Sequence, residues 1–125
     1  MSKLPKISDS EWEVMEIIWS KNVCTSSEIV DALKYNSEWS PKTIHTLITR
    51  LVKKGAVDVD KTSTTYKYSP IVSEKDLKNQ ETKTFVQKLY GGSLKLLVSN
   101  FIKDEHLTSD EIHELKKILD EKIDK

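Results

Sequence analysis

A chain of 125 residues with 20 basic and 20 acidic side chains has room for one domain, or a small domain with an oligomerisation arm, and excludes a second full enzyme domain. Its zero formal charge gives no bulk argument for a nucleic-acid partner, and Cys24, the single cysteine, excludes an internal disulfide and a thiolate metal cluster. No stretch approaches a signal peptide or the ~20 apolar residues of a membrane helix, so the sequence predicts a cytoplasmic protein with no direct membrane insertion.

Ser8 followed three residues later by Glu11 forms a capping box, and Trp12, Met15, Ile18 and Trp19 recur at helical spacing, predicting a helix over 7–22. A stripe containing Met and Ile reads as core rather than as a base-stacking face, and the carboxylates of this helix read as a solvated face. Cys24 has no activating neighbour and reads as structural. Thr25 and Glu28 form a second box ahead of Ile29, Ala32 and Leu33, predicting a short helix that ends near Tyr35. A polar turn over 36–39 follows, with Trp39 as a plug at the join.

Residues 40–55 carry a complete helix. Ser40 caps it, Pro41 suits its first position, and Gly55 supplies a left-handed stop. Ile44, Leu47, Ile48 and Leu51 share one face, while Lys42, Thr46, Thr49, Arg50 and Lys53 gather on the other with no carboxylate among them. Cations interleaved with hydroxyls suit phosphate and base-edge contact better than simple solvation, where mixed charge is usual. Charge is also polarised along the chain. Residues 7–39 hold seven carboxylates against two cations, and residues 40–68 hold six cations against two carboxylates.

After Gly55 the period changes to two. Val57 and Val59 alternate with Asp58 and Asp60, a polar turn covers 61–64, and Tyr66 and Tyr68 alternate around Lys67 until Pro70 ends the run. A hairpin directly after a basic helix reads as the wing of a winged helix. Its turn residues Lys61, Thr62 and Ser63 then lie against a phosphate or the minor groove; a plain solvated hairpin tip is the open alternative.

Ser73 caps a further helix carrying Leu77, Phe85, Val86, Leu89 and Tyr90, which Gly91 and Gly92 break. Ser93 starts another with Leu94, Leu97, Val98 and Phe101 in register and Ile102 beside them, which makes Phe101 a core residue. Thr108 and Glu111 form a third capping box before Ile112, Leu115, Leu119 and Ile123. Some ~50 residues of this kind bury too little apolar surface alone, which argues for packing against a second copy. The predicted fold is mainly α: a winged helix-turn-helix DNA-binding domain with a small β-hairpin wing over 1–71, then a three-helix dimerisation domain over 72–125. His106, Asp110 and His113 are too thin a set to predict a metal, and no cofactor is expected.

The segments SDSEWEVMEIIW at 8–19, KTIHTLITRL at 42–51, YKYSP at 66–70 and FVQKLYGG at 85–92 closely resemble the penicillinase repressor family, which includes the methicillin-resistance repressors. The resemblance covers nearly the whole chain. It implies a homodimeric winged-helix repressor that binds an inverted-repeat operator and silences β-lactamase or resistance genes. It further implies induction through a membrane β-lactam sensor and a linked protease that cuts the repressor in its dimerisation region, with the scissile bond mapping to Asn100 and Phe101. A copper-responsive branch carries a cysteine-rich tail that this chain lacks.

On this reading Lys42, Thr43 and Thr46, in the N-terminal half of the helix, face base edges, while Thr49, Arg50 and Lys53 follow along the same face and the two cations suit phosphates. His45 flanks the face, either as a phosphate contact or as a plain surface histidine, and Lys61 and Thr62 come from the wing. With three glycines and no catalytic constellation the chain is not expected to be an enzyme. The competing readings are a winged-helix regulator of another operon and a winged-helix protein-interaction module.

Overall fold

A computed structural model describes residues 4–35, 38–104 and 106–124. Among them are six helices, α1 (Asp9–Lys21), α2 (Ser26–Leu33), α3 (Pro41–Lys53), α4 (Glu74–Tyr90), α5 (Leu94–Lys103) and α6 (Ser109–Ile123), and two strands, β1 (Val57–Asp60) and β2 (Lys67–Pro70). Asn36 and Ser37 of the expected turn lie outside the described residues. By compactness the chain divides into two units, Met1–Gln80 and Glu81–Lys125.

The helix starts follow side-chain chemistry. Ser8, Thr25 and Thr108 each accept a hydrogen bond from the backbone N–H three residues on, while Glu11, Glu28 and Glu111 accept one in return from the cap backbone. Six otherwise orphaned amides are satisfied in this way. Ser40 accepts from the Thr43 N–H at 3.2 Å, Ser73 from that of Asp76 at 3.1 Å and Ser93 from that of Leu96 at 3.2 Å. Helix α2 stops at Leu33, with Lys34 as its cap, two residues before the expected end.

The core of the first unit is built from Val14, Met15 and Ile18 of α1, Ile29 and Leu33 of α2, and Ile44, Leu47, Ile48 and Leu51 of α3. Ala56, Val57 and Leu77 close it. Trp12, Trp19 and Trp39 pack at its margin, with Trp12 and Trp19 edge to face at 5.6 Å and the Trp19 indole N–H donating to the Val72 carbonyl at 3.0 Å.

The strands pair antiparallel with Val57 opposite Pro70, Val59 opposite Tyr68 and Asp60 opposite Lys67. A third backbone piece joins them: the Cys24 N–H donates to the Tyr68 carbonyl at 3.0 Å, and the Tyr68 N–H donates to the Cys24 carbonyl at 2.7 Å. The chain enters this bridge through a tight turn at Asn22, whose φ of 69° and ψ of −53° lie outside the regions ordinary side chains favour. Cys24 is buried there, and burial above all pushes its thiol pKa up, consistent with a structural residue.

One carboxylate departs from the expected solvated face of α1. Glu11 is buried, receives the Ser8 N–H at 2.9 Å, and pairs with the Lys54 ammonium, which also donates to the Lys6 carbonyl at 2.9 Å. Burial pushes its pKa up, but the Lys54 hydrogen bond and the bonds from Ser8 outweigh it, and the net shift is downward. The ion pair ties the end of α3 to the start of α1.

In the second unit the helices form where expected, but no residue of α5 or α6 is buried. Phe101, expected in a core, is 44% exposed. Amphipathic spacing reports which face is apolar; it does not say that the same chain supplies the cover.

Candidate nucleic-acid interface

Helix α3 is fixed from below by its four buried apolar residues and from its end by Lys54, so its outer face is held rigidly in place. Lys42, Thr43, His45, Thr46, Thr49, Arg50 and Lys53 are all exposed. Lys42, His45, Thr46, Thr49, Arg50 and Lys53 line one open groove along the helix. Thr43 stands apart at the first turn, where its hydroxyl lies 3.1 Å from that of Ser40, in the cap.

Two of the hydroxyls on this face have their protons committed. Thr46 Oγ1 donates to the Lys42 carbonyl at 3.1 Å, and Thr49 Oγ1 donates to that of His45 at 3.0 Å. Each therefore offers the groove a methyl group and a hydrogen-bond acceptor, and no free donor. That chemistry suits a thymine methyl or an exocyclic amino group of adenine or cytosine. Donors come from Lys42, Arg50 and Lys53.

The wing borders the same surface. Thr49, Val52, Val59, Lys61, Tyr66 and Tyr68 line a cleft between α3 and the hairpin, so Thr49 belongs to both depressions. At the tip, the Thr62 N–H and hydroxyl both donate to the Asp60 carboxylate, at 2.9 and 2.6 Å. These bonds hold the Asp60 pKa below the ordinary carboxylate value. Thr62 thus shapes the turn, and Lys61 is the tip's exposed cation.

Among the described residues there is no group of three or more histidine, cysteine or carboxylate side chains placed to hold a metal, and no helix long and apolar enough to cross a membrane. His106 lies with its ring 5.4 Å from that of Phe101.

Residues 7–121 match the penicillinase repressor family. The chain belongs to that family. It is 45% identical over 121 residues to the methicillin resistance regulatory protein MecI of Staphylococcus aureus strain N315, covering 97% of this chain and 98% of the relative. It is 40% identical to the penicillinase repressor of Bacillus licheniformis, covering 97% of this chain and 94% of that protein. A solution structure of the monomeric form of Bacillus licheniformis BlaI in complex with the blaP half-operator aligns with 61% of this chain and 93% of that one, at 43% identity and a TM-score of 0.53. The fold is accordingly a DNA-binding winged helix, and the family is one of repressors, not enzymes.

Sequence reasoning missed three features of this region: the Glu11–Lys54 anchor, the Cys24–Tyr68 bridge and the commitment of the threonine protons. The last had a signal, since Thr46 and Thr49 sit mid-helix where a hydroxyl readily bonds the carbonyl four residues back.

Proposed function

We propose that this chain is a homodimeric transcriptional repressor that binds an inverted-repeat operator of β-lactamase or β-lactam resistance genes. In this reading residues 1–71 form the DNA-binding domain and residues 72–125 the dimerisation domain. The observation that carries it is the cation-and-hydroxyl groove on α3, set on a winged helix 43% identical to one solved on a half-operator. Lys42, Thr43 and Thr46 address base edges, Thr49 supplies a methyl contact beside the wing, and Arg50, Lys53, His45 and Lys61 meet phosphates, with Thr62 shaping the tip.

The exposed apolar side chains of α5 and α6, including Phe101, Ile102, Ile118 and Leu119, support a second copy as their cover. Release follows from cutting at Asn100 and Phe101 by a protease linked to a membrane β-lactam sensor. The Asn100 carbonyl accepts from the Asp104 N–H at 3.0 Å and the Phe101 carbonyl from the His106 N–H at 3.0 Å. A protease needs extended backbone, so the end of α5 must open locally before the bond is cut.

Binding of the full chain to a duplex carrying the blaP half-operator as an inverted repeat, and to a scrambled duplex, over a salt series tests this. Thr46→Ala is expected to weaken the operator complex by ~1–3 kcal/mol and spare the scrambled one, whereas Arg50→Ala weakens both and lowers the salt slope by about 1. Equal losses on the two duplexes remove Thr46 from the readers. Binding to neither duplex at moderate salt favours the protein-interaction reading.

A further inference from the structure

The wing has two chemically different faces. In an antiparallel pair, residues opposite one another share a face and successive residues alternate. The paired register ends with Val59 opposite Tyr68 and Asp60 opposite Lys67, and the residues just beyond it, Lys61 and Tyr66, come to the same side as Val59 and Tyr68. All four line the cleft against α3. Asp58 and Asp60 alternate onto the opposite face, away from that cleft. The hairpin's two carboxylates are therefore segregated from a surface whose one cation is Lys61.

That cation is held. The Lys61 ammonium lies 5.7 Å from the centre of the Tyr66 ring, and Tyr66 is 45% exposed. A cation over an aromatic face keeps fewer rotamers than one free in water, so less conformational freedom is lost when an anion arrives.

We propose that Tyr66 is a positioning residue for DNA, its ring holding the Lys61 ammonium at the mouth of the cleft between wing and α3, preset for one phosphate of the strand that flanks the reading helix. The proposal rests on the operator-binding reading. It adds a residue that makes no base contact of its own, and it assigns the cleft to duplex backbone rather than to a small molecule.

The test uses the full chain and the same two duplexes. Lys61→Ala should weaken both alike by ~3- to 10-fold and lower the salt slope by about 0.9, the value for one phosphate. Tyr66→Leu, which keeps apolar bulk but has no π face, should weaken both by ~2- to 5-fold through the lysine. Tyr66→Phe should bind as the unaltered protein does, because the ring face survives. Combining Lys61→Ala with Tyr66→Leu should bind no worse than Lys61→Ala alone.

Additive losses in the double variant, or a Tyr66→Phe loss as large as that of Tyr66→Leu, overturn the positioning role. If Arg50→Ala weakens binding while neither wing variant does, this inference fails and the operator-binding reading stands. If the unaltered chain binds neither duplex, both fall.

Discussion

Helix α3 and helix α6 begin from similar sequence signals and end in different states. Each has a hydroxyl N-cap and an apolar stripe of helical period. The stripe of α3 is buried to the last atom or nearly so, with Ile44, Leu47, Ile48 and Leu51 each 4% exposed or less. In α6, Ile112 and Leu115 are 37% and 38% exposed, and Ile118, Leu119 and Ile123 more so. Local chemistry makes both helices; only the first finds its apolar complement within one chain. The first unit closes its own core, and the other unit leaves apolar side chains exposed, the surface on which the proposed dimer rests.

The largest expected effect tests that difference directly. A chain ending at Asn100 lacks α6 and the end of α5. On the proposed assembly it should sediment as a monomer at concentrations where the full chain is expected to be a dimer, and lose ~10²- to 10⁴-fold in affinity for an inverted repeat, since two half-sites would no longer be linked. Its affinity for a single half-site should be little changed. An undisturbed dimer for residues 1–100 defeats both the placing of the dimer interface on these helices and cutting as the release step.

Next come paired truncations of buried and unburied leucines. Leu51→Ala opens a cavity in a closed core and should cost about 2–5 kcal/mol in chemical denaturation, at any protein concentration. Leu119→Ala should cost a comparable amount only where the dimer is populated, and its effect should fade on dilution. A concentration-independent loss for Leu119→Ala would mean that its own chain covers it.

Glu11 ties the stability of the first unit to pH. Its folded pKa lies below its ordinary value, so the unfolded chain binds its proton more readily than the folded one. Its contribution is complete above the ordinary carboxylate range and is lost as pH falls through the ordinary and then the folded value. Glu11→Gln should cost about 2–3 kcal/mol at neutral pH, toward the low side for a buried pair because Lys54 keeps one side in water. The variant should also show a flatter fall in stability on acidification. Melting followed from pH 7 to pH 3 checks both; an unchanged slope assigns the acid sensitivity to other carboxylates, among them Glu28, Asp60 and Glu111, whose pKa values are also lowered.

What could be read in the sequence follows the range of the interactions involved. The boxes at Ser8, Thr25 and Thr108, the cap at Ser40 and the hairpin over 57–70 depend on residues a few positions apart, and they stand where the sequence placed them. Glu11 reads as solvated in the sequence because its partner Lys54 is 43 residues away. The backbone bridge at Cys24 is one residue long and has no periodicity to detect. Leu77 gave a helical signal but no hint that it closes the first unit's core. The cationic face of α3 was legible as a face, whereas the direction of its threonine hydroxyls became visible only with the helix built.

The smallest effect concerns the left-handed residues that end helices in the two units. Gly55 follows α3 with φ of 82° and Gly91 follows α4 with φ of 58°, and a Cβ at either would meet open space. Alanine at each site is therefore opposed by backbone conformation alone, about 1–2 kcal/mol for a left-handed residue, partly offset by the lower entropy of the unfolded chain. A net loss of about 1 kcal/mol is expected for both Gly55→Ala and Gly91→Ala. The two losses should differ in kind. In the first unit, Gly55→Ala should lower the melting midpoint equally at all concentrations and leave dimerisation alone, because the strand that this turn leads into pairs within its own unit. Gly91 sets the turn from which α5 departs, so Gly91→Ala should also weaken dimerisation by up to ~5-fold, measured by sedimentation at concentrations near the dissociation constant. Equal concentration dependence for the two variants would show that the units do not divide stability and association between them.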